Sequence, residues 1–199
     1  MKIILVGASG DVGEAAYAEL SKRHEIIRAG RHTGDVVVDI GDKCAIDAMY
    51  DEVCTFDAVI SAAGNVHFSP LSDHTEATFR IGLENKAMGQ INLVLSGLGR
   101  ISDGGSFTLT TGVLNRDPVI SGTSAATANG ALEGFVTGAA IELPRGIRIN
   151  AVSPGLLRVS ADRYGAFFPG HERVASEKVG RAFAKCVDGA LTGQVVVVA

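Results

Sequence analysis

Gly7, Gly10 and Gly13 punctuate the run Gly7-Ala8-Ser9-Gly10-Asp11-Val12-Gly13, which follows the apolar stretch Ile3 to Val6 and leads into a helical pattern. Glycine at these places permits a tight turn, lets backbone N–H groups approach a diphosphate, and allows a helix to pack closely on a strand. The implied chemistry is dinucleotide binding at a helix N-terminus, with Ser9, Asp11 and Val12 in the same turn. A carboxylate at Asp11 suits the helix dipole but repels a phosphate, so it is expected to point away and cap the helix. Near the end of the second apolar run the chain reads Ala29-Gly30-Arg31-His32-Thr33. An acidic residue there would hold the 2′-hydroxyl of NAD. Arg31, with Ser9, His32 and Thr33 as further donors, instead suits the 2′-phosphate of NADP, so NADP(H) is expected over NAD(H).

Groups that could move a proton are few. Thr111 carries a hydroxyl at the end of the fifth apolar run, Asn85 and Asn129 carry amides, and His67 and Tyr164 can titrate. Lys86 reads as a surface lysine, although its charge could serve a site that lacks one. No Ser/His/Asp order with a nucleophile elbow is present, and no HExxH or acidic cluster suggests a metal.

The elements that must position these residues follow from periodicity. Strand-length apolar runs lie at Ile3 to Val6, Glu25 to Ala29, Val36 to Val38, Ala58 to Ile60, Ser106 to Thr110, Ile147 to Val152 and Val195 to Val198. Helical periodicity covers Val12 to Lys22, Lys43 to Val53, Glu76 to Leu98, Ser124 to Leu143 and Glu172 to Val187. This alternation predicts an α/β fold, a doubly wound parallel sheet of Rossmann type with helices on both faces in three α/β/α layers. At 199 residues one domain is expected, with a nucleotide-binding half over 1–100 and a substrate half over 101–199. Thr123 and Ser124 offer hydroxyl caps for the long helix, and Pro144 with Gly146 a stop. That helix is rich in alanine and glycine, which predicts close approach of a cofactor on one face and of a second subunit on another.

Hydrophobic residues make up 46% of the chain and charged residues 20%, a globular profile. Eighteen basic against 22 acidic residues give a net charge of −4, with no basic arm, so nucleic acid is not an expected partner. Cys44, Cys54 and Cys186 form no CxxC pair, which suits a reducing compartment. The four apolar residues before Gly7 are far too few to span a membrane. A cytoplasmic protein without a membrane partner is expected.

From Thr123 to Gly155 the residues TSAATANGALEGFVTGAAIELPRGIRINAVSPG resemble the catalytic half of the short-chain dehydrogenase/reductase family. The resemblance extends back to Ile3. It implies that Asp39-Ile40 contacts adenine, that Ser61-Ala62-Ala63-Gly64 passes beneath the adenine ribose, and that Pro154-Gly155 borders the nicotinamide. It also sets Ala125 at the family's catalytic tyrosine and Asn129 at its lysine. Ala125 has no proton to transfer, and Asn129 can hold a ribose hydroxyl but supplies no charge. Thr111 falls beside the place of the family's serine, and Asn85 near its helix-four asparagine with one extra residue before Gly89. Val159 stands where a threonine would hold the carboxamide, with Ser160 next. Arg158, Arg163, Tyr164, Phe167 and Phe168 lie in the segment that closes over substrate, where the aromatics fit an apolar guest, core packing or a subunit contact equally well.

Two functions follow. One is an NADP(H)-dependent oxidoreductase acting on a small carbonyl or alcohol, with a non-standard proton donor: His67, Tyr164 or a water held by Thr111 and Asn129, with Asn85 in the relay. The other is an inactive NADP(H)-binding sensor or interaction module. The family's habit of associating through this helix and the one before it implies a homodimer or homotetramer.

Overall fold

The computed structural model describes residues 1–199. Seven parallel strands, β1 (Lys2–Val6), β2 (Glu25–Gly30), β3 (Val36–Val37), β4 (Phe56–Ser61), β5 (Ile101–Thr110), β6 (Arg148–Pro154) and β7 (Val195–Val198), form one sheet in the order β3-β2-β1-β4-β5-β6-β7. Successive side chains of β1 point to opposite faces. Ile4 and Val6 enter the core beneath α2 (Lys43–Val53), α4 (Gly89–Gly97) and α5 (Thr123–Ala139). Ile3 and Leu5 enter the core beneath α1 (Asp11–Leu20) and α7 (Ser176–Asp188). This is the three-layer, doubly wound sheet that the alternation predicts.

The winding direction reverses between β1 and β4, and the crevice beyond their carboxyl ends is where such sheets bind ligands. Ala62 N donates to Val6 O at 2.8 Å there, which brings the turn after β4 against the turn after β1. Gly7 has φ of +81°, and a Cβ on it would stand 2.8 Å from the backbone of Ala62 and Ala63. A Cβ on Gly13 would lie 2.1 Å from Gly7 O. These two glycines let helix, strand and turn meet.

Three expectations need correction. The single helix over 76–98 is divided: α3 (Glu76–Ile81) passes through a π-helical segment, Gly82–Met88, into α4. A π turn takes up one extra residue per insertion, which matches the extra residue before Gly89. The helix starting near 123 is capped by the backbone of Gly122 without a side-chain bond. Ser124 is buried instead, its hydroxyl so close to Gly82 that a Cβ there would meet it at 2.7 Å. The last long helix starts at Ser176, because Val174 pairs with Leu157 as an isolated bridge before it.

That bridge closes a lid. Arg158 N donates to Val174 O and Val174 N to Leu156 O, at 2.9 and 2.7 Å, so the ends of the segment between are pinned together. Within it lie a 3₁₀ turn, the short α6 (Ala161–Tyr164) and a second 3₁₀ turn, Gly165–Phe167. Phe167 packs on Phe68 with ring centroids 5.6 Å apart. His171 Nε2 lies 3.0 Å from Asp117 Oδ2.

Candidate functional site

Two cavities flank the glycine turn at the carboxyl ends of the strands. The first, about 300 Å³, is walled by Gly7, Ser9, Arg31, His32, Asp39, Ile40, Ala63 and Gly64 among others. The sequence assigns Gly7 to the diphosphate, Ser9, Arg31 and His32 to the 2′-phosphate, Asp39 and Ile40 to adenine, and Ala63 and Gly64 to its ribose, whereas Thr33 lies outside this cavity. Arg31 Nε sits 3.2 Å from Asp39 Oδ2, and both side chains are about half exposed. Asp39 also accepts from Gly41 N at 2.9 Å. Arg31 Nη2 also donates to Asp39 Oδ1 at 3.3 Å, so one edge of the guanidinium is taken up and its other N–H donors have no protein partner.

The second cavity, about 260 Å³, collects Val12, Thr111, Asn129, Pro154, Gly155, Ser160 and Tyr164, with apolar walls from Val66, Phe68, Val113, Leu114 and Phe168. Neighbouring residues divide between the two spaces. Asn65 and Asn85 face the first, Val66 and Lys86 the second, so the two cavities lie next to each other. In the chain, Gly10 and Asp11 fall between Ser9 of the first cavity and Val12 of the second. Gly10 is the N-cap of α1 through its backbone, so Asp11 does not act as the cap. Its carboxylate instead accepts from Ser160 Oγ at 2.5 Å and pairs with Arg163, tying the nucleotide turn to the lid. Arg163 offsets the negative charge of Asp11.

The proton-transfer candidates separate sharply. Thr111 is buried at the second cavity, but its hydroxyl donates to Glu133 Oε1 at 3.3 Å. Glu133 lies four residues beyond Asn129 on α5 and also accepts from Asn115 Nδ2 at 2.9 Å and from Arg116. Asn129 is buried, with Nδ2 donating to Gly112 O at 3.1 Å, so its amide is already engaged. Asn85 lines the first cavity, where its Oδ1 accepts from Asn65 N at 2.8 Å. His67 turns away from both cavities onto His74, centroids 5.6 Å apart, because residues alternate along the extended segment and its neighbours Val66 and Phe68 point inward. Val159 likewise faces outward at 62% exposure, and Ser160 takes the inward place.

Lys86 is not a surface lysine. Its Nζ donates to Asn129 Oδ1 at 2.7 Å and to Thr111 O at 2.9 Å. It is the only charged residue on the wall of the second cavity, and burial pushes its ammonium down to about 8. Its stem crosses Gly64, where a Cβ would stand 2.6 Å from Lys86 Cγ. The extra residue before Gly89 was the sequence signal for this placement, and the spacing of Asn129 and Glu133 was the signal for the carboxylate.

The family model for enoyl-(acyl carrier protein) reductase matches residues 2–186. No curated protein matches the chain. Among solved structures, the protein lin1944 from Listeria innocua is 50% identical and superposes with a TM-score of 0.99, each chain covered in full. A small-chain dehydrogenase is 26% identical with a TM-score of 0.85, over 100% of this chain and 95% of its own. Another small-chain dehydrogenase, in complex with NADPH, shares the fold at 24% identity and a TM-score of 0.87, over 100% and 96%.

Proposed function

The chain belongs to the short-chain dehydrogenase/reductase family, and from that premise we propose that it is an NADP(H)-dependent oxidoreductase of small, largely apolar carbonyl or alcohol substrates. The observation that carries this reading is the pair of adjacent cavities, one lined by the Arg31 guanidinium and the other an apolar cavity lined by Lys86. The residues present fit the dinucleotide. A Cβ on Gly10 would meet nothing nearer than Gly7 O at 3.6 Å, which leaves room for a diphosphate beside the first turn of α1. When bound, a reduced nicotinamide supplies the hydride for a carbonyl carbon. The chain's own residues orient the substrate, exclude water and manage the proton. Phe68, Leu114 and Phe168 would hold an apolar substrate body, and the lid over them keeps water out. Calorimetry with NADPH, then NADPH oxidation against a broad carbonyl panel, tests the proposal. Absence of binding or of any oxidation rejects it.

Selectivity for NADPH should reside in Arg31. Replacing it with alanine removes charge-assisted hydrogen bonds worth about 1.5–3 kcal/mol. The expected result is about 10–100-fold weaker NADPH binding with little change for NADH. Equal loss for both dinucleotides would assign Arg31 a structural role.

A second reading, an NADP(H)-binding sensor or interaction module, draws support from Ala125 and from the tie of Asp11 to the lid, which links nucleotide turn and lid directly. Partner association that is indifferent to NADPH and NADP would remove it. For either reading a homodimer or homotetramer is proposed through α4 and α5. Added Cβ atoms on Gly130, Gly134 and Gly138 would meet nothing within 4 Å, so this small-residue face is open to a second copy, with Leu95 and Ile141 exposed nearby in sequence. No helix is long and apolar enough to cross a membrane. The exposed free thiols of Cys44 and Cys54 fit the reducing cytoplasm we propose.

A further inference from the structure

We propose that Lys86 is the proton donor to the substrate oxygen, brought by the π-helical turn to serve where Ala125 has no proton to give. The proposal rests on the reductase reading above and names the acid that reading requires. An ammonium has three N–H groups. Two are held by Thr111 O and Asn129 Oδ1, which fixes the headgroup and leaves the third for the cavity that Lys86 lines. Gly64 is what lets the stem through. The placement therefore depends on three separated parts of the chain: the π turn, the glycine after β4 and the amide on α5.

No carboxylate bonds to Nζ. From α5, Glu133 is engaged by Thr111, Asn115 and Arg116; from the start of α1, Asp11 is held by Ser160 and Arg163. His67 on the loop after β4 faces His74, and Tyr164 on the lid shares the cavity without a bond to the ammonium. With its charge unquenched and burial favouring loss of a proton, Lys86 is protonated at neutral pH yet able to release its proton, as a general acid must. In the step, the carbonyl carbon accepts the hydride of a reduced nicotinamide dinucleotide, the C=O π pair moves onto oxygen, and that oxygen takes a proton from Nζ. The substrate ends as an alcohol, the dinucleotide is oxidised, and Lys86 is left as a neutral amine that regains a proton from water.

The sign of the pH dependence follows. Reduction needs the protonated lysine, so its rate should fall about tenfold per pH unit above about 8, while alcohol oxidation, which needs the neutral amine, should rise through the same pH. Lys86→Met should lose ~10²–10⁴-fold in kcat and its basic limb while retaining NADPH affinity. Lys86→Arg keeps the charge without a releasable proton, so it should not recover the rate. Independently of turnover, acetic anhydride labelling followed by peptide mass spectrometry should give Lys86 a midpoint near pH 8, against about 10.4 for an ordinary lysine. Turnover that survives in Lys86→Met with its pH limb intact overturns the proposal and leaves the reductase reading standing, and so does an ordinary labelling midpoint. Wild-type protein that binds NADPH but reduces no carbonyl overturns both.

Discussion

Asn129→Lys, the substitution that restores the family's lysine, is expected to destabilise this protein and to slow it. Asn129 is buried and its Oδ1 receives the Lys86 ammonium at 2.7 Å. A lysine in its place removes that acceptor and brings a second positive charge to the same enclosure. Two unit charges about 4 Å apart repel by about 4 kcal/mol at an effective dielectric of about 20. For a chain of this length that corresponds to a melting temperature lower by about 8–16 °C at neutral pH. The penalty exists while both amines are protonated in the folded state. Their folded pKa values lie below the unfolded ones, so the loss is full below the folded values and is relieved as pH rises through them. The stability gap to wild type should therefore narrow between about pH 8 and 10. Asn129→Asp acts in the opposite sense, since a carboxylate beside Nζ favours the charged lysine and should move the basic limb of reduction above 8. Differential scanning calorimetry across pH checks the first variant and a rate profile the second. An Asn129→Lys protein that melts like wild type and turns over faster would mean that Lys86 does not occupy the lysine's place.

The nature of this site explains which parts of it could be read from residue order. The sheet, its winding and the Gly7 to Gly13 turn follow from short-range patterns: an unbroken apolar run in β1 that is buried on both faces, helical periodicity after it, and glycines whose missing Cβ atoms are needed within a few residues of chain. Arg31 and His32 reach the first cavity for the same reason, since the end of β2 fixes where they stand. The second cavity depends on direction rather than composition. Asn85 and Lys86 are neighbours, and only the wider π turn decides that the lysine meets α5 while the asparagine braces Asn65. His67 carried a signal that chemistry obscured, because its apolar neighbours Val66 and Phe68 mark the inward-facing register and leave the imidazole on the outer one. The tie between Asp11 and Ser160 joins positions 149 residues apart and has no local signature, so Asp11 reads as a helix cap until the lid is seen against it.

Two alanine substitutions in the glycine turn should separate the fold's needs from the ligand's. Gly13→Ala would set a methyl group 2.1 Å from Gly7 O and 2.8 Å from Ala8 Cα, both backbone atoms that cannot step aside without moving α1 off β1. Overpacking against fixed backbone costs about 3 kcal/mol or more, so the melting temperature should drop by at least about 6–12 °C, and NADPH binding should be lost with the displaced helix. Gly10 is in a different position. It has φ of −85° and ψ of 163°, which alanine adopts freely, and an added Cβ has no protein atom closer than 3.6 Å. Gly10→Ala should cost only about 1 kcal/mol of capping preference. Yet its methyl group would project into the space where a diphosphate must approach the first N–H groups of α1, so NADPH affinity should fall on the order of 100-fold, about 2.8 kcal/mol. Thermal melts and calorimetric titrations on the two purified variants make the comparison. A Gly10→Ala protein that binds NADPH as wild type does would take the diphosphate away from this turn, and with it the alignment that sets the nicotinamide beside Lys86.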